Sequence, residues 1–232
     1  MTHDLRFRHP FSCIIGGSSG SGKTVWVKNL LENCDMMIAH GDPNLVHTAF
    51  TLRVIYFYNE DQSQLFAEMK ANGSVTEFIQ GVPDLQTVEE LSSTHDPAII
   101  VIDDLMNHIN DDLSELFTSF RHRNISVIYL TQNIFQKEKQ FRTMSLNANH
   151  IVFMRNPRDS SQIMHFAKQF SPNNIHYVVQ AYRDATGKRA YTYLHFDLCQ
   201  RTSDIIRVRT NIFPHEWPMV TYVGPGSKMR AF

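Results

Sequence analysis

Apolar positions along the chain follow two spacings that alternate with each other. Short apolar runs at residues 11–15, 53–58, 99–102, 125–130 and 151–154 have the length and β-branched content of strands buried on both faces. Between them the spacing changes. Val27, Leu30, Leu31 and Cys34 recur at helical intervals and predict a helix over 24–33, and Leu113, Leu116, Phe117 and Phe120 mark another, with Asn110 or Asp111 as its cap and Asn124 as its end. A third helix is expected over 160–170, and shorter ones over 64–70 and 88–91. Gly, Pro and Asn set turns at 41–44, 72–73 and 81–83. Near the end, 191–197 and 206–213 alternate apolar with polar residues around a turn, which predicts an antiparallel hairpin; from Pro214 on, three prolines and two glycines predict an extended tail. Strands alternating with helices predict an α/β fold, a mainly parallel sheet covered by helices on both faces.

Composition narrows the class. The chain has 232 residues, 42% of them apolar, enough for one domain with a core over about 10–190, a hairpin over about 190–213 and a tail over 214–232. No apolar run is long enough for a membrane helix, and Asp4, Arg6 and Arg8 do not form a signal-peptide start. Cys13, Cys34 and Cys199 lie far apart without a CxxC pair, which argues against a disulfide scaffold or a zinc motif. The net charge of −1 conceals an asymmetry: residues 1–120 hold 6 Lys and Arg against 17 Asp and Glu, and residues 121–232 hold 16 against 6. The second half therefore attracts polyanions, and Lys188, Arg189, Arg207 and Arg209 are its candidate DNA contacts, the last two reading as the polar face of a hairpin strand.

The run Gly17-Ser18-Ser19-Gly20-Ser21-Gly22-Lys23-Thr24 fits G-x-x-x-x-G-K-[ST] directly after a predicted strand and before a predicted helix. Glycines let successive backbone N–H groups turn inward around phosphate oxygens, and the helix N-terminus starting near Val25 adds its positive end. Lys23 neutralises phosphate charge, and the Thr24 hydroxyl can hold Mg²⁺. Asp103 closes the apolar run 99–102, where a second Mg²⁺ ligand belongs; Asp104 beside it can polarise an attacking water or cap the next turn. The additional strand between the two motifs is the layout of P-loop ATPases, with the strands in the order 5-1-4-3-2. That order brings Gln132, at the tip of the fourth strand, between the motifs, where an amide can hold the γ-phosphate and the water. Arg121 and Arg123 precede the same strand, within reach of a neighbouring subunit's nucleotide or simply at a helix end.

Together G-G-S-S-G-S-G-K-T, I-I-V-I-D-D-L-M, F-R-H-R-N-I-S-V-I-Y-L-T-Q-N and R-T-N-I-F-P resemble the FtsK/HerA superfamily over roughly residues 10–215, specifically the poxvirus-type and Polinton/adintovirus-type genome-packaging ATPases. The resemblance implies a RecA-like core and an ATP- and Mg²⁺-dependent motor. It also implies a homo-oligomeric ring, pentameric or hexameric, that drives double-stranded DNA into a capsid, encoded by a virus and acting in the infected cell or with the virion. It assigns Lys23 and Thr24 to the Walker A pair, Asp103 to the metal, Asp104 to the base and Gln132 to the sensor. Arg121, or Arg123 in its place, becomes a finger acting on the neighbour. Asp104 departs from the wider superfamily, whose cellular members usually carry Glu there. The rival readings are a P-loop kinase, whose lid would have to be residues 136–142, and a nucleotide-gated DNA scaffold without turnover.

Overall fold

A computed structural model describes residues 4–39, 52–83, 90, 97–105, 111–119, 122, 124–136, 138–187 and 189–225. The predicted turn at 41–44, the short helix over 88–91 apart from Glu90, and the cap Asn110 lie outside these residues. Eleven strands are seen among them: β1 (Phe7–Arg8), β2 (Ser12–Gly16), β3 (Ile38–Ala39), β4 (Arg53–Tyr58), β5 (Glu77–Gln80), β6 (Ala98–Asp103), β7 (Ile125–Thr131), β8 (His150–Met154), β9 (Tyr193–Asp197), β10 (Val208–Thr210) and β11 (Val220–Tyr222). The helices are α1 (Lys23–Glu32), α2 (Cys34–Met37), α3 (Ser63–Ala71), α4 (Asp111–Ser119), α5 (Lys139–Asn147), α6 (Ser161–Phe170) and α7 (Ile175–Gly187).

Nine strands form one sheet in the order β11-β10-β9-β8-β2-β7-β6-β4-β5, while β1 and β3 pair apart from it. The pairs from β8 to β5 are parallel. Those linking β8, β9, β10 and β11 are antiparallel, so the sheet is mixed. The expected C-terminal hairpin is therefore no separate unit: β9 hydrogen-bonds to β8 and carries the central sheet outward. Its second strand is only Val208–Thr210, because Asp204–Ile206 winds into a 3₁₀ turn. The tail also departs from a plain extended segment, since Pro214–Glu216 forms a 3₁₀ turn and Val220–Tyr222 adds an edge strand.

Alternation along each strand divides the core into two layers. Ile99 and Val101 of β6 pack on the face that holds Trp26, Val27, Leu30 and Leu31 of α1. Ile100 and Ile102 face the opposite layer, where Phe141 and Met144 of α5, Ile163 and Phe166 of α6, and Val178 and Tyr182 of α7 cover the sheet. Burying an aliphatic side chain of this kind stabilises the fold by roughly 1.5–3 kcal/mol, so the central strands are held from both sides. Helix α7 has no counterpart in the pattern read above. Its Ile175, Val178, Val179, Tyr182 and Ala185 nonetheless recur at helical spacing, and tertiary packing outweighs the modest helix propensity of Val and Tyr.

Candidate functional site

The turn after β2 enters α1 through Gly22, whose φ of +96° is a left-handed conformation that glycine adopts without Cβ strain. Gly17 is needed for a different reason: a Cβ there would come within 2.6 Å of both Met154 Cβ and Ser21 Oγ. Between these glycines the chain curls around the Lys23 ammonium, whose Nζ donates to the Gly17 carbonyl at 2.7 Å and the Ser18 carbonyl at 3.2 Å. Burial pushes the Lys23 pKa down, and the charges of Asp103 and Asp104 push it back up. The Ser21 hydroxyl is buried beside it, with no hydrogen-bond partner among the described residues.

Asp103 arrives opposite this loop by strand parity. It points to the same face as Ile99 and Val101, which is the α1 face, so its Oδ2 stands 3.4 Å from Thr24 Oγ1 at the start of that helix. Tyr56, on β4, points to the same face and donates its hydroxyl to the same oxygen at 2.7 Å. Gln62 adds a 3.3 Å hydrogen bond to Thr24 Oγ1. Burial pushes the Asp103 pKa up, while donation by Tyr56 and the Lys23 charge pull it down. A buried carboxylate and a hydroxyl a few ångströms apart are hard oxygen donors, and a divalent cation would offset the cost of burying the carboxylate.

Asp104 turns out of the strand at φ +53°, a conformation that Asp tolerates better than most residues. The β6–β7 register sets Asp103 opposite Leu130, which carries Gln132 to the Asp104 side, and Gln132 Nε2 donates to Asp104 Oδ2 at 2.8 Å. Residues 19–25, Glu60, Gln62, Asp103, Asp104 and Tyr191 line one cavity of about 450 Å³, large enough for a nucleotide. The donor set suits a polyphosphate with a divalent ion: an ammonium already inside the loop, an unpartnered buried hydroxyl, a helix N-terminus, and the Thr24–Asp103 pair.

The sequence-derived residues thus divide. Gly17, Ser18 and the stretch from Ser19 to Val25 converge with Asp103, Asp104 and Gln132. Arg121, Arg123 and Lys188 lie outside the described residues, and Arg189 is exposed. Arg209 corrects the expectation of a solvated strand face: it is 2% exposed, donating to Asp197 Oδ2 at 3.1 Å and to the Leu5 carbonyl at 3.0 Å. The N-terminal segment covers the face that alternation alone would assign to water. Arg207 precedes β10 and staples a loop, donating to the carbonyls of Asp197, Cys199 and Thr202 and pairing with Asp204. The Arg209 guanidinium is thus enclosed in the fold, and that of Arg207 is engaged by the loop it staples while staying partly exposed.

The Arg209–Asp197 pair belongs to a buried polar cluster in which His150, Asp197 and Cys199 bring ligand-type atoms within 4.8 Å of one another. Both Asp197 oxygens already accept hydrogen bonds, Oδ1 from the Cys199 N–H and Oδ2 from Arg209, so this carboxylate balances a buried cation. Sequence reasoning missed Tyr56, Gln62 and Tyr191. The one signal for Tyr56 was its position two residues from Val54 and Tyr58 in a strand pointing toward the motif strand.

The sequence matches the family described as Poxvirus A32 protein over residues 2–197. Two solved structures of the genome packaging NTPase B204 from Sulfolobus turreted icosahedral virus 2 share the fold. The complex with AMPPCP superposes with a TM-score of 0.58 at 14% identity, over 87% of this chain and 96% of that one. The complex with ATP-gammaS gives 0.54 at 13%, with the same coverage. No curated protein matches the sequence.

Proposed function

The chain belongs to the poxvirus A32 protein family, and from that premise we propose that this ATPase translocates double-stranded DNA into a viral capsid. The observation that carries the reading is the Gln132–Asp104 hydrogen bond of 2.8 Å at the mouth of the phosphate loop. A carboxylate held by an amide is suited to orienting and deprotonating water, which favours hydrolysis over transfer to an organic acceptor. The kinase reading is weakened by its lid: α5 starts within residues 136–142, and Phe141 is buried in the core.

In this reading Lys23 neutralises charge on the β and γ phosphates, and the N–H groups at the start of α1 orient them. Thr24 and Asp103 would hold Mg²⁺, which when bound offsets phosphate charge. Tyr56 fixes the Asp103 carboxylate, Asp104 takes the proton of the attacking water, and Gln132 orients the two together. Arg121, or Arg123, acts on the nucleotide of the adjacent subunit in a ring of five or six copies. Basic residues after Phe120, Lys188 and the exposed Arg189 among them, hold the DNA backbone without reading its bases. Capsid proteins are the receiving partner, in the infected cell or at the virion.

Phosphate release measured with and without double-stranded DNA tests this. Stimulation by DNA of any sequence, falling steeply with salt, is expected. Unstimulated turnover, or label passing from ATP to a small acceptor, would overturn it. In a companion experiment, Arg121→Ala mixed with Lys23→Ala should recover activity, since a mixed ring can juxtapose one intact phosphate loop with one intact arginine. No recovery in verified mixed oligomers would remove Arg121 as the trans finger.

A further inference from the structure

The cavity that takes the phosphates has one rim of different chemistry. Its floor is Lys23, Thr24, Asp103 and Asp104, but at the α1 entrance Val25 is 47% exposed and Tyr191 is 66% exposed, both lining the same space. Tyr191 is also one of four described non-glycine residues with positive φ, at +59°. For a bulky aromatic that conformation is an outlier, and such strain collects where a ligand has to be met. The ring lies against the phosphate loop: a Cβ on Gly22 would lie 3.1 Å from Tyr191 Cδ1 and 3.2 Å from its Cβ. The last glycine of the phosphate loop therefore accommodates the aromatic residue as well as the turn. The core does not need the residue where it is, since Tyr191 is two thirds exposed.

An exposed aromatic face beside an exposed valine, at the edge of a cavity whose other walls are polar, is a surface for one planar apolar group. We infer that Tyr191 stacks on the nucleobase of the bound nucleotide, with the Val25 side chain on the same rim, and so supplies the affinity that the phosphate contacts do not. Stacking on a π face tolerates any purine, so the ring sets affinity for nucleotide over bare polyphosphate rather than adenine over guanine. The inference rests on reading residues 17–24 as the phosphate cradle and adds the base subsite to it.

The test compares two ligands on full-length protein, ATP and inorganic tripolyphosphate, the second having phosphates and no base. Tyr191→Ala should weaken ATP binding about tenfold by calorimetry and leave the tripolyphosphate constant unchanged, with GTP losing as much as ATP. Tyr191→Phe, which keeps the ring, should restore ATP binding. Etheno-ATP fluorescence should be quenched by the parent and by Tyr191→Phe, but not by Tyr191→Ala. Unchanged ATP affinity in Tyr191→Ala overturns the proposal. Equal loss of ATP and tripolyphosphate also overturns it, because the ring would then only brace Gly22. A parent chain that binds neither ligand overturns the phosphate cradle itself and the base subsite with it.

Discussion

The Tyr56 hydroxyl donates a 2.7 Å hydrogen bond to Asp103 Oδ2, the oxygen that also faces Thr24 Oγ1. The two residues come from neighbouring parallel strands, with Tyr56 opposite Val101 and Tyr58 opposite Asp103, so the contact is a diagonal one across the pair. Outer groups that orient a metal-binding carboxylate are commonly worth roughly 10- to 100-fold in metal affinity. Tyr56→Phe should therefore raise the Mg²⁺ concentration for half-maximal ATPase activity by about tenfold and leave ATP-independent folding intact. Phosphate release across a Mg²⁺ titration measures this, and an unshifted midpoint would show that Tyr56 only fills space.

Lys23→Ala should abolish turnover without lowering the melting temperature. The ammonium is buried against two carbonyls and its pKa is pushed down by that burial, so removing it relieves a desolvation cost while deleting the phosphate counter-charge. Thermal unfolding and phosphate release on the same preparation check both halves.

Asp104→Asn should bind ATP like the parent and hydrolyse it far more slowly, because the amide oxygen can still accept from Gln132 but cannot take a proton. If Gln132 acts through Asp104, the Gln132→Ala change should cost little more in the Asp104→Asn background than Asp104→Asn costs alone. Additive losses in a double-mutant cycle would mean that the two residues act separately.

Stability should fall with acidification through the His150 window. Burial pushes the His150 pKa down to about 4, Asp197 raising it and Arg209 lowering it further; His195 stacked beside it is held well below 6.5 by the same burial. A lowered folded pKa means that the unfolded chain binds more protons between pH 6.5 and about 4, so stability is full above 6.5 and is lost as pH falls toward 4. The loss from His150 is on the order of 3 kcal/mol. Urea midpoints at several pH values should show it, with a shallower slope in His150→Phe.

Arg209→Ala should destabilise the fold by about 3–5 kcal/mol, since Asp197 would be left buried with its counter-charge gone. Its DNA affinity, measured on the folded fraction, should equal that of the parent, whereas reversing the exposed Arg189 should weaken DNA binding. A selective DNA defect in Arg209→Ala would contradict the burial.

The glycine-rich loop between β2 and α1 was legible because its geometry is local: eight consecutive residues carry the glycines, the lysine and the hydroxyl, and the flanking strand and helix are adjacent in the chain. Apolar runs such as Ile99–Ile102 were legible for the same reason, since a strand buried on both faces shows that burial in its own residues. The partners of these residues are another matter. Tyr56 meets Asp103 across 47 positions and Arg209 meets the Leu5 carbonyl across 204. No short window of sequence holds both members of either pair. Alternation told that β10 has two faces, but which face meets water depends on what folds over it. Here the N-terminal segment covers the arginine and Asp197 neutralises it. Charge counted along the chain located the cations in the second half; only the packed sheet decided which of them remain at the surface.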